Sequence, residues 1–337
     1  MMFEVNNAES IMSFEHMRLS RYATLSSNTK GRLRPIKECD LRTPFSRDRD
    51  RITHSKAFRR LMHKTQVFLS PEGDHYRTRL THTFEVTQIA RVIARALSLN
   101  EDLAEAAALG HDLGHTPFGH AGERLLNRLY EGGFAHYDQS LRVVDHLENS
   151  GMGLNLTYEV RDAIRNHSGS NRAVTPEGRI IRFADRIAYI NHDIDDAIRA
   201  GILKTEDIPR ELREILGDTH GKRINTMVRD TIFNSSKGEI SMSREISLAT
   251  DKLREFMFEA VYKNPVAKGE EEKANVMLTF LYEYFYAHPG KLSPEYKLNL
   301  DKYPKGRVIC DYISSMTDRF AVRKFNELFI PKVWQRI

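Results

Sequence analysis

The sequence predicts a mainly α-helical protein, and two observations support this fold class. In most segments the apolar residues recur every three or four positions, which is the period of one helix face. The alternating pattern of β-strands is scarce, so we expect at most a short hairpin near residues 67–76 or 237–241. Because 40% of the 337 residues are hydrophobic, the chain can bury a substantial core.

The first elements differ in the strength of their pattern. Residues 1–30 are polar and mixed, and we interpret them as a loosely held lead-in. Apolar positions at roughly helical spacing indicate a helix within 42–68, and a strongly amphipathic helix is expected over 81–99. Asn100 is a suitable cap for the next helix, over 101–112, whose first turn is acidic.

Helical patterns continue to the end of the chain without a repeat of fixed period. They cover residues 139–148, 158–166, 179–200, 246–262, 276–287 and 308–329. We divide the chain into the lead-in over 1–30, a main domain over 31–205, and a helical C-terminal region over 206–337 that packs on the main domain.

The composition constrains the environment of the protein more than its partners. The net charge of +5 is a mild excess that suits polyphosphate or nucleic acid but also many other soluble proteins. Cys39 and Cys310 lack the spacing of a disulfide framework or a zinc finger, so we expect reduced thiols in the cytoplasm. No apolar run approaches eighteen residues and no signal-peptide pattern is present, so no membrane partner is expected.

Four side chains form a candidate set of metal ligands. His82 begins one predicted helix, His111 and Asp112 end the next, and Asp185 lies in a later helix. Two imidazoles and two carboxylates can hold a borderline divalent ion and leave positions for water and a phosphate oxygen. The residues of an isolated His-Asp pair are usually ordinary polar residues at a helix end. Residues 110–123, however, are rich in histidine and glycine. Such a composition would destabilise a purely structural segment, because buried imidazoles need hydrogen-bond partners and glycine weakens helices.

That segment reads Gly-His-Asp-Leu-Gly-His-Thr-Pro-Phe-Gly-His-Ala-Gly-Glu, and it resembles the HD-domain deoxyguanosine triphosphate triphosphohydrolases, the dGTPase-like family. The similarity covers somewhat under half of the chain, in residues 42–45, 51–61, 73–83, 110–123, 185, 307–312 and 316–319. The resemblance implies an HD-superfamily helical bundle over 31–205 with the C-terminal helices added to it.

The resemblance also implies roles for individual residues. The metal would be manganese, magnesium, cobalt, nickel or iron, and its ligands would be His82, His111, Asp112 and Asp185. The catalytic pair would be His120 and Glu123, in which the carboxylate orients the imidazole for proton transfer. His115 and His136 would line the phosphates.

A second set of residues is implied for substrate binding. Tyr189 would lie against the deoxyribose, where its ring crowds a 2′-hydroxyl, and Asp193 near the 3′-hydroxyl; the alternative is a solvated acidic face. Arg79 and Arg186 would contact phosphate, because a guanidinium binds oxygens bidentately. The positions flanking the nucleoside would be Gln66 and Val67, although Val67 is equally well explained as a core residue.

Some features stay open at the level of sequence. His167 is either a further imidazole of the site or a satisfied residue at a helix end. Arg59, Arg60 and Lys64 form a basic face that binds phosphate, a nucleotide or nucleic acid, or is simply solvated. The C-terminal third diverges from the family pattern, so guanine preference cannot be inherited.

The function we expect is hydrolysis of a deoxynucleoside triphosphate, with dGTP as one candidate, to deoxynucleoside and triphosphate. One alternative is another HD-superfamily nucleotide phosphohydrolase, such as a 5′-nucleotidase or a phosphodiesterase. The other alternative is a nucleotide- or nucleic-acid-sensing module with a vestigial site, which the presence of all four ligands disfavours. The resemblance further implies a homo-oligomer, and a regulatory deoxynucleoside triphosphate or single-stranded DNA as partner.

Overall fold

The structure, a computed structural model, describes residues 6–66, 77–263 and 265–332. Within these residues the secondary structure is helical and no β-strand is present, which confirms the mainly α prediction. The three isolated antiparallel bridges join Arg32 with Thr157, Thr65 with Thr78, and Ser236 with Glu239.

α-Helices follow one another along most of the described residues. The first five are α1 (Ala8–Arg18), α2 (Pro44–Thr53), α3 (Lys56–Arg60), α4 (Arg79–Ala96) and α5 (Glu101–Gly110). The next five are α6 (Gly119–Leu129), α7 (His136–Arg142), α8 (Glu148–Gly151), α9 (Tyr158–Asn166) and α10 (Pro176–Arg199). The remaining helices are α11 (Arg210–Leu216), α12 (His220–Asn234), α13 (Arg244–Met257), α14 (Pro265–Ala287), α15 (Pro294–Lys297), α16 (Lys305–Ser314) and α17 (Asp318–Phe329). Short π-helical turns follow α7 and α13, over Val143–Leu147 and Phe258–Tyr262.

Side-chain caps determine where the two central helices begin. The Thr78 hydroxyl accepts from the Thr81 backbone N–H, and Thr81 returns a bond to Thr78, so a capping box starts α4. The Asn100 side chain accepts from the Leu103 N–H at 3.1 Å, as predicted, and starts α5. α5 then ends at Gly110, so that His111 and Asp112 lie just beyond the helix.

Three apolar clusters hold the helices together. The largest is formed by α4, α5 and α10 with α12 and α13, and it lies behind the candidate metal ligands. A second cluster joins α6 to α14, α16 and α17, and a third joins α2 and α3 to α5 and α9. Because α6 packs on α14, the histidine-rich segment over 110–123 lies between α5 and the helices α14, α16 and α17.

The structure differs from the expected elements in three places. Residues 8–18 form a helix, although a loose lead-in was expected, and Glu15 ties it down by accepting from Ser26 and Asn100. The predicted helix over 308–329 is two helices, because Thr317 caps a new one by accepting from the Phe320 N–H. At 237–241 only a turn with one bridge forms; residues 67–76 lie outside the described residues.

The cysteines are unpaired: Cys39 is partly exposed and Cys310 is buried. None of the helices described is long and apolar enough to span a membrane.

Candidate metal and catalytic site

The four candidate metal ligands converge from three parts of the fold. His82 comes from the first turn of α4, His111 and Asp112 from the end of α5, and Asp185 from the middle of α10. His82 Nε2 lies 3.2 Å from Asp185 Oδ1 and 3.7 Å from Asp112 Oδ2. His111 Nε2 lies 3.4 Å from Asp112 Oδ1 and 3.9 Å from Asp185 Oδ1. The sequence-predicted ligands therefore surround one small volume.

Hydrogen bonding in this volume leaves acceptor atoms facing one another. His111 Nδ1 lies 2.6 Å from the Ala108 carbonyl oxygen and must donate to it, so Nε2 is the acceptor nitrogen in the neutral form of the ring. That Nε2 is buried, has no hydrogen-bond partner, and points toward the Asp112 and Asp185 carboxylates. Two carboxylates and an imidazole lone pair in a buried space call for a cation, so the residues present fit a divalent metal.

Electrostatics keep the Asp112 carboxylate ionised in this buried position. Burial by itself raises its pKa, but His111, His115 and Arg79 together hold the pKa of Asp112 well below its usual range. Arg79 is itself buried and its Nη1 donates to Asp112 Oδ2 at 2.7 Å. One oxygen of Asp112 thus faces Arg79, and the other faces the imidazoles of His111 and His115.

A second cluster lies on the other side of Asp112 and contains the predicted catalytic pair. Glu123 Oε2 lies 3.1 Å from His120 Nδ1, and Glu123 Oε1 accepts from His136 Nδ1 at 2.9 Å and from the His136 backbone N–H at 2.8 Å. His115 stacks on His136 with ring centroids 4.3 Å apart, and its Nε2 lies 3.4 Å from Asp112 Oδ1. The predicted catalytic pair and the two histidines predicted to line the phosphates are therefore brought together.

The members of this cluster differ in exposure and in charge. His120 has a side chain that is 66% exposed, whereas the other three lie inside the fold. Burial raises the pKa of the Glu123 carboxyl, but hydrogen bonds from His120 and His136 bring it well below its usual range. Burial lowers the pKa of His136, but its bond to Glu123 raises that pKa above its usual value. Glu123 is thus a carboxylate that orients one exposed and one buried imidazole.

His167, which the sequence left open, lies inside the site. Its Nδ1 is 2.7 Å from the Ile164 carbonyl oxygen, and its Nε2 is 3.3 Å from His136 Nε2. Its ring centroid is 5.1 Å from that of His111, and burial lowers its pKa to about 3. His167 is therefore a neutral imidazole that lies between His111, a candidate metal ligand, and His136 of the second cluster.

The candidate sugar-binding residues lie further along α10. Asp193 is buried, its Oδ2 accepts from the Tyr262 hydroxyl, and burial raises its pKa to about 6. Tyr189, one turn before, is mostly buried, and burial raises its pKa to about 12. Tyr262 comes from the π turn after α13. Its contact with Asp193 spans 69 residues, so no local spacing in the sequence indicated that Tyr262 belongs to the site.

The other residues predicted to bind substrate differ in whether their polar groups already have a partner in the protein. Arg79 keeps its Nε without a partner, whereas Arg186 points its Nη1 at Asp251 of α13, 3.1 Å away. The backbone of Gln66 lies beside Gly119, and its Oε1 is buried without a partner. Val67 lies outside the described residues.

The predicted basic face is not formed by all three of its residues. Lys64 is buried, and its ammonium group donates to the His115 and Ser314 carbonyl oxygens. Burial lowers the pKa of Lys64 to about 7. The interpretation of Lys64 as a surface charge was wrong, because the chain turns it inward to join the histidine segment to the C-terminal region.

A carboxylate from the C-terminal region holds the same segment. Asp318, in the first turn of α17, is buried and accepts from the backbone N–H groups of Thr65 at 2.9 Å and Phe118 at 3.0 Å. Phe118 has a left-handed backbone, with φ of 60°, and directly precedes α6, which carries His120 and Glu123. Asp318 of α17 therefore fixes the turn that precedes His120 and Glu123.

Comparisons with known proteins agree with this architecture. The model of the HD domain matches residues 79–190, and the model of a phosphohydrolase-associated domain matches residues 240–327. A deoxyguanosinetriphosphate triphosphohydrolase-like protein of Caldanaerobacter subterraneus subsp. tengcongensis is 60% identical over 321 residues, which cover 95% of each chain. Two Clostridium perfringens proteins of the same name are 50% and 48% identical, over 96% of this chain and 98% of their own.

The identity and the coverage extend over almost the whole chain, and the matched HD domain contains the buried His and Asp cluster that fits a divalent metal. The chain belongs to the deoxyguanosinetriphosphate triphosphohydrolase-like family, and it is a metal-dependent phosphohydrolase of the HD superfamily.

Proposed function

We propose that the protein hydrolyses deoxynucleoside triphosphates to deoxynucleoside and inorganic triphosphate. The observation that carries this proposal is the position of the exposed His120, held by Glu123, next to the buried cluster of His82, His111 and Asp112. The names of the relatives support a deoxynucleoside triphosphate as substrate. The preferred base is left open.

The metal would be held by His82, His111, Asp112 and Asp185. When bound, a divalent ion in such a site polarises a phosphate oxygen and lowers the pKa of a water molecule. Arg79 keeps Asp112 ionised and oriented through the bond from its Nη1, while its Nε is directed at no protein acceptor and is free for a phosphate oxygen.

The chemical step in this proposal is attack of water on the α-phosphorus. A bond forms between the water oxygen and the phosphorus, the bond from phosphorus to the 5′ oxygen breaks, and the 5′ oxygen leaves with a proton. His120 is the group suited to move that proton, since its Nδ1 is oriented by Glu123 and its ring is accessible. The raised pKa of His136 favours its cationic form, which suits a place beside the phosphates together with His115.

The substrate's sugar would lie between Tyr189 and Asp193. The ring of Tyr189 would crowd a 2′-hydroxyl, and Asp193 would accept a hydrogen bond from the 3′-hydroxyl. Gln66 and Val67 would flank the nucleoside. Arg186 would contact phosphate only by sharing or leaving its present partner, Asp251.

Product analysis tests the proposal. The four deoxynucleoside triphosphates and their ribose counterparts are incubated with manganese, magnesium, cobalt, nickel or iron, and the products are resolved by anion exchange. Release of intact triphosphate from a deoxynucleotide is the expected result. Monophosphate, diphosphate or free phosphate as the only product would refute the proposal and leave another HD phosphohydrolase.

A further inference from the structure

The buried Asp193 carboxylate is bounded by two side chains that come from different elements. Its Oδ2 accepts from the Tyr262 hydroxyl, and its Oδ1 lies 3.3 Å from His192 Nε2. Both Asp193 Oδ1 and His192 Nε2 are buried and have no hydrogen-bond partner. One oxygen of the carboxylate is therefore held by Tyr262, and the other is buried against the imidazole and makes no hydrogen bond within the protein.

The imidazole of His192 is itself held by a chain of charged groups. His192 is fully buried, and its Nδ1 lies 2.7 Å from Glu85 Oε2 on α4. Arg77 Nε donates to Glu85 Oε1 at 2.9 Å, and Arg77 Nη1 donates to Asp196 Oδ1 at 3.0 Å. Hydrogen bonds from His192 and Arg77 outweigh burial and lower the pKa of Glu85 to about 2, so the acceptor of His192 is an ionised carboxylate.

We infer that His192, anchored by Glu85, is a positioning residue that fixes the Asp193 carboxylate for recognition of the sugar 3′-hydroxyl. The inference rests on the proposed function, which places Asp193 at that hydroxyl. His192 does not reach substrate itself in this arrangement, since it is completely buried behind Asp193.

A rival role for His192 follows from its other neighbour. Its ring packs edge-on against the ring of His82, with centroids 4.9 Å apart, so that it also supports a candidate metal ligand. The two roles differ in what they affect. Support of His82 acts on every substrate, whereas support of Asp193 acts only on substrates that carry the 3′-hydroxyl.

The experiment compares two substrates of the same base, a deoxynucleoside triphosphate and its 2′,3′-dideoxy analogue. For His192→Gln, kcat/KM for the deoxynucleotide is expected to fall about ten-fold, because a displaced Asp193 carboxylate would accept a weaker hydrogen bond from the substrate's 3′-hydroxyl. For the dideoxy analogue the value is expected to change less than about two-fold. Metal content per chain, measured by elemental analysis, is expected to equal that of the wild type.

Two further variants test the same inference if His192→Gln does not fold. Glu85→Gln removes the ionised acceptor at a side chain that is 35% exposed, and Tyr262→Phe removes the other bond to Asp193. Both are expected to lose activity selectively on the deoxynucleotide. His288→Gln, at an exposed histidine on the C-terminal side of α14, is the matched control, for which both substrates keep wild-type values.

The outcomes separate the inference from the proposed function. Equal losses of kcat/KM on both substrates in His192→Gln and Glu85→Gln, or a loss of bound metal, would overturn the inference. Either result would show that His192 supports His82 instead. Failure of the wild type to release triphosphate from any deoxynucleotide would refute the proposed function instead, before any variant is compared.

Discussion

Asp318 of α17 holds the turn before α6, and the cost of losing this attachment can be worked out from its hydrogen bonds. Asp318 accepts from the backbone N–H of Phe118 and from the backbone N–H and hydroxyl of Thr65. Asp318→Ala leaves these donors without a partner, and each buried, unsatisfied donor costs about 1–3 kcal/mol. Because Thr65 is only partly buried, we expect the free energy of unfolding to fall by about 2–5 kcal/mol. Asp318→Asn keeps one acceptor oxygen and should lose about half as much.

Urea unfolding followed by circular dichroism measures this loss. Asp301→Asn, at an exposed aspartate in the loop before α16, is the control and should remain within about 0.5 kcal/mol of the wild type. The kcat of Asp318→Asn should also fall, since Phe118 directly precedes the helix that carries His120. Stability of Asp318→Ala equal to that of the control would refute the reasoning that this carboxylate holds the turn.

Three further predictions concern the site and its packing. Asp112→Ala removes a proposed metal ligand and should abolish metal-dependent turnover; full activity with bound metal would exclude Asp112 as a ligand. Because the pKa of His136 is raised in the folded protein, protonation of His136 stabilises the fold. This stabilisation is complete below the pKa of the unfolded chain, near 6.5, and is lost as the pH rises through the pKa of the folded protein. His136→Gln should therefore destabilise the protein more at pH 6 than at pH 9 in thermal unfolding, and an equal loss at both would contradict the assignment. A Cβ at Gly114 would lie 2.2 Å from the backbone nitrogen of residue 140, so Gly114→Ala should lower the free energy of unfolding by about 3 kcal/mol or more. Gly221 lies on a helix in open space, so Gly221→Ala should raise the free energy of unfolding by up to about 1 kcal/mol. Similar stabilities of the two variants in urea unfolding would contradict the packing argument.

Local signals in the sequence were sufficient to predict the helices that carry the candidate metal ligands. The three-then-four spacing over 81–99 and the cap at Asn100 predicted α4 and α5 closely, because an amphipathic stripe and a side-chain cap are encoded within a few residues. The convergence of His82, His111, Asp112 and Asp185 was predicted by resemblance, and the structure brings these side chains together.

The features that the sequence did not indicate depend on contacts between distant residues. α1 has no apolar stripe and is held by Glu15, whose partners include Asn100, 85 positions away. Lys64 follows two arginines and resembles a surface charge, yet it is buried because it bonds the Ser314 carbonyl oxygen, 250 positions away. Tyr262 reaches Asp193 in the same way. No pattern within one helix encodes such pairings, so their place in the site emerges only from the fold.

The most direct test of the central claim is the fate of the oxygen atom of water. The wild-type protein is incubated with a divalent metal and its best deoxynucleoside triphosphate in water enriched in ¹⁸O, and the products are weighed by mass spectrometry. Attack at the α-phosphorus predicts one ¹⁸O atom in intact triphosphate and an unlabelled deoxynucleoside. Label in the deoxynucleoside, or labelled free phosphate without triphosphate, would contradict the account.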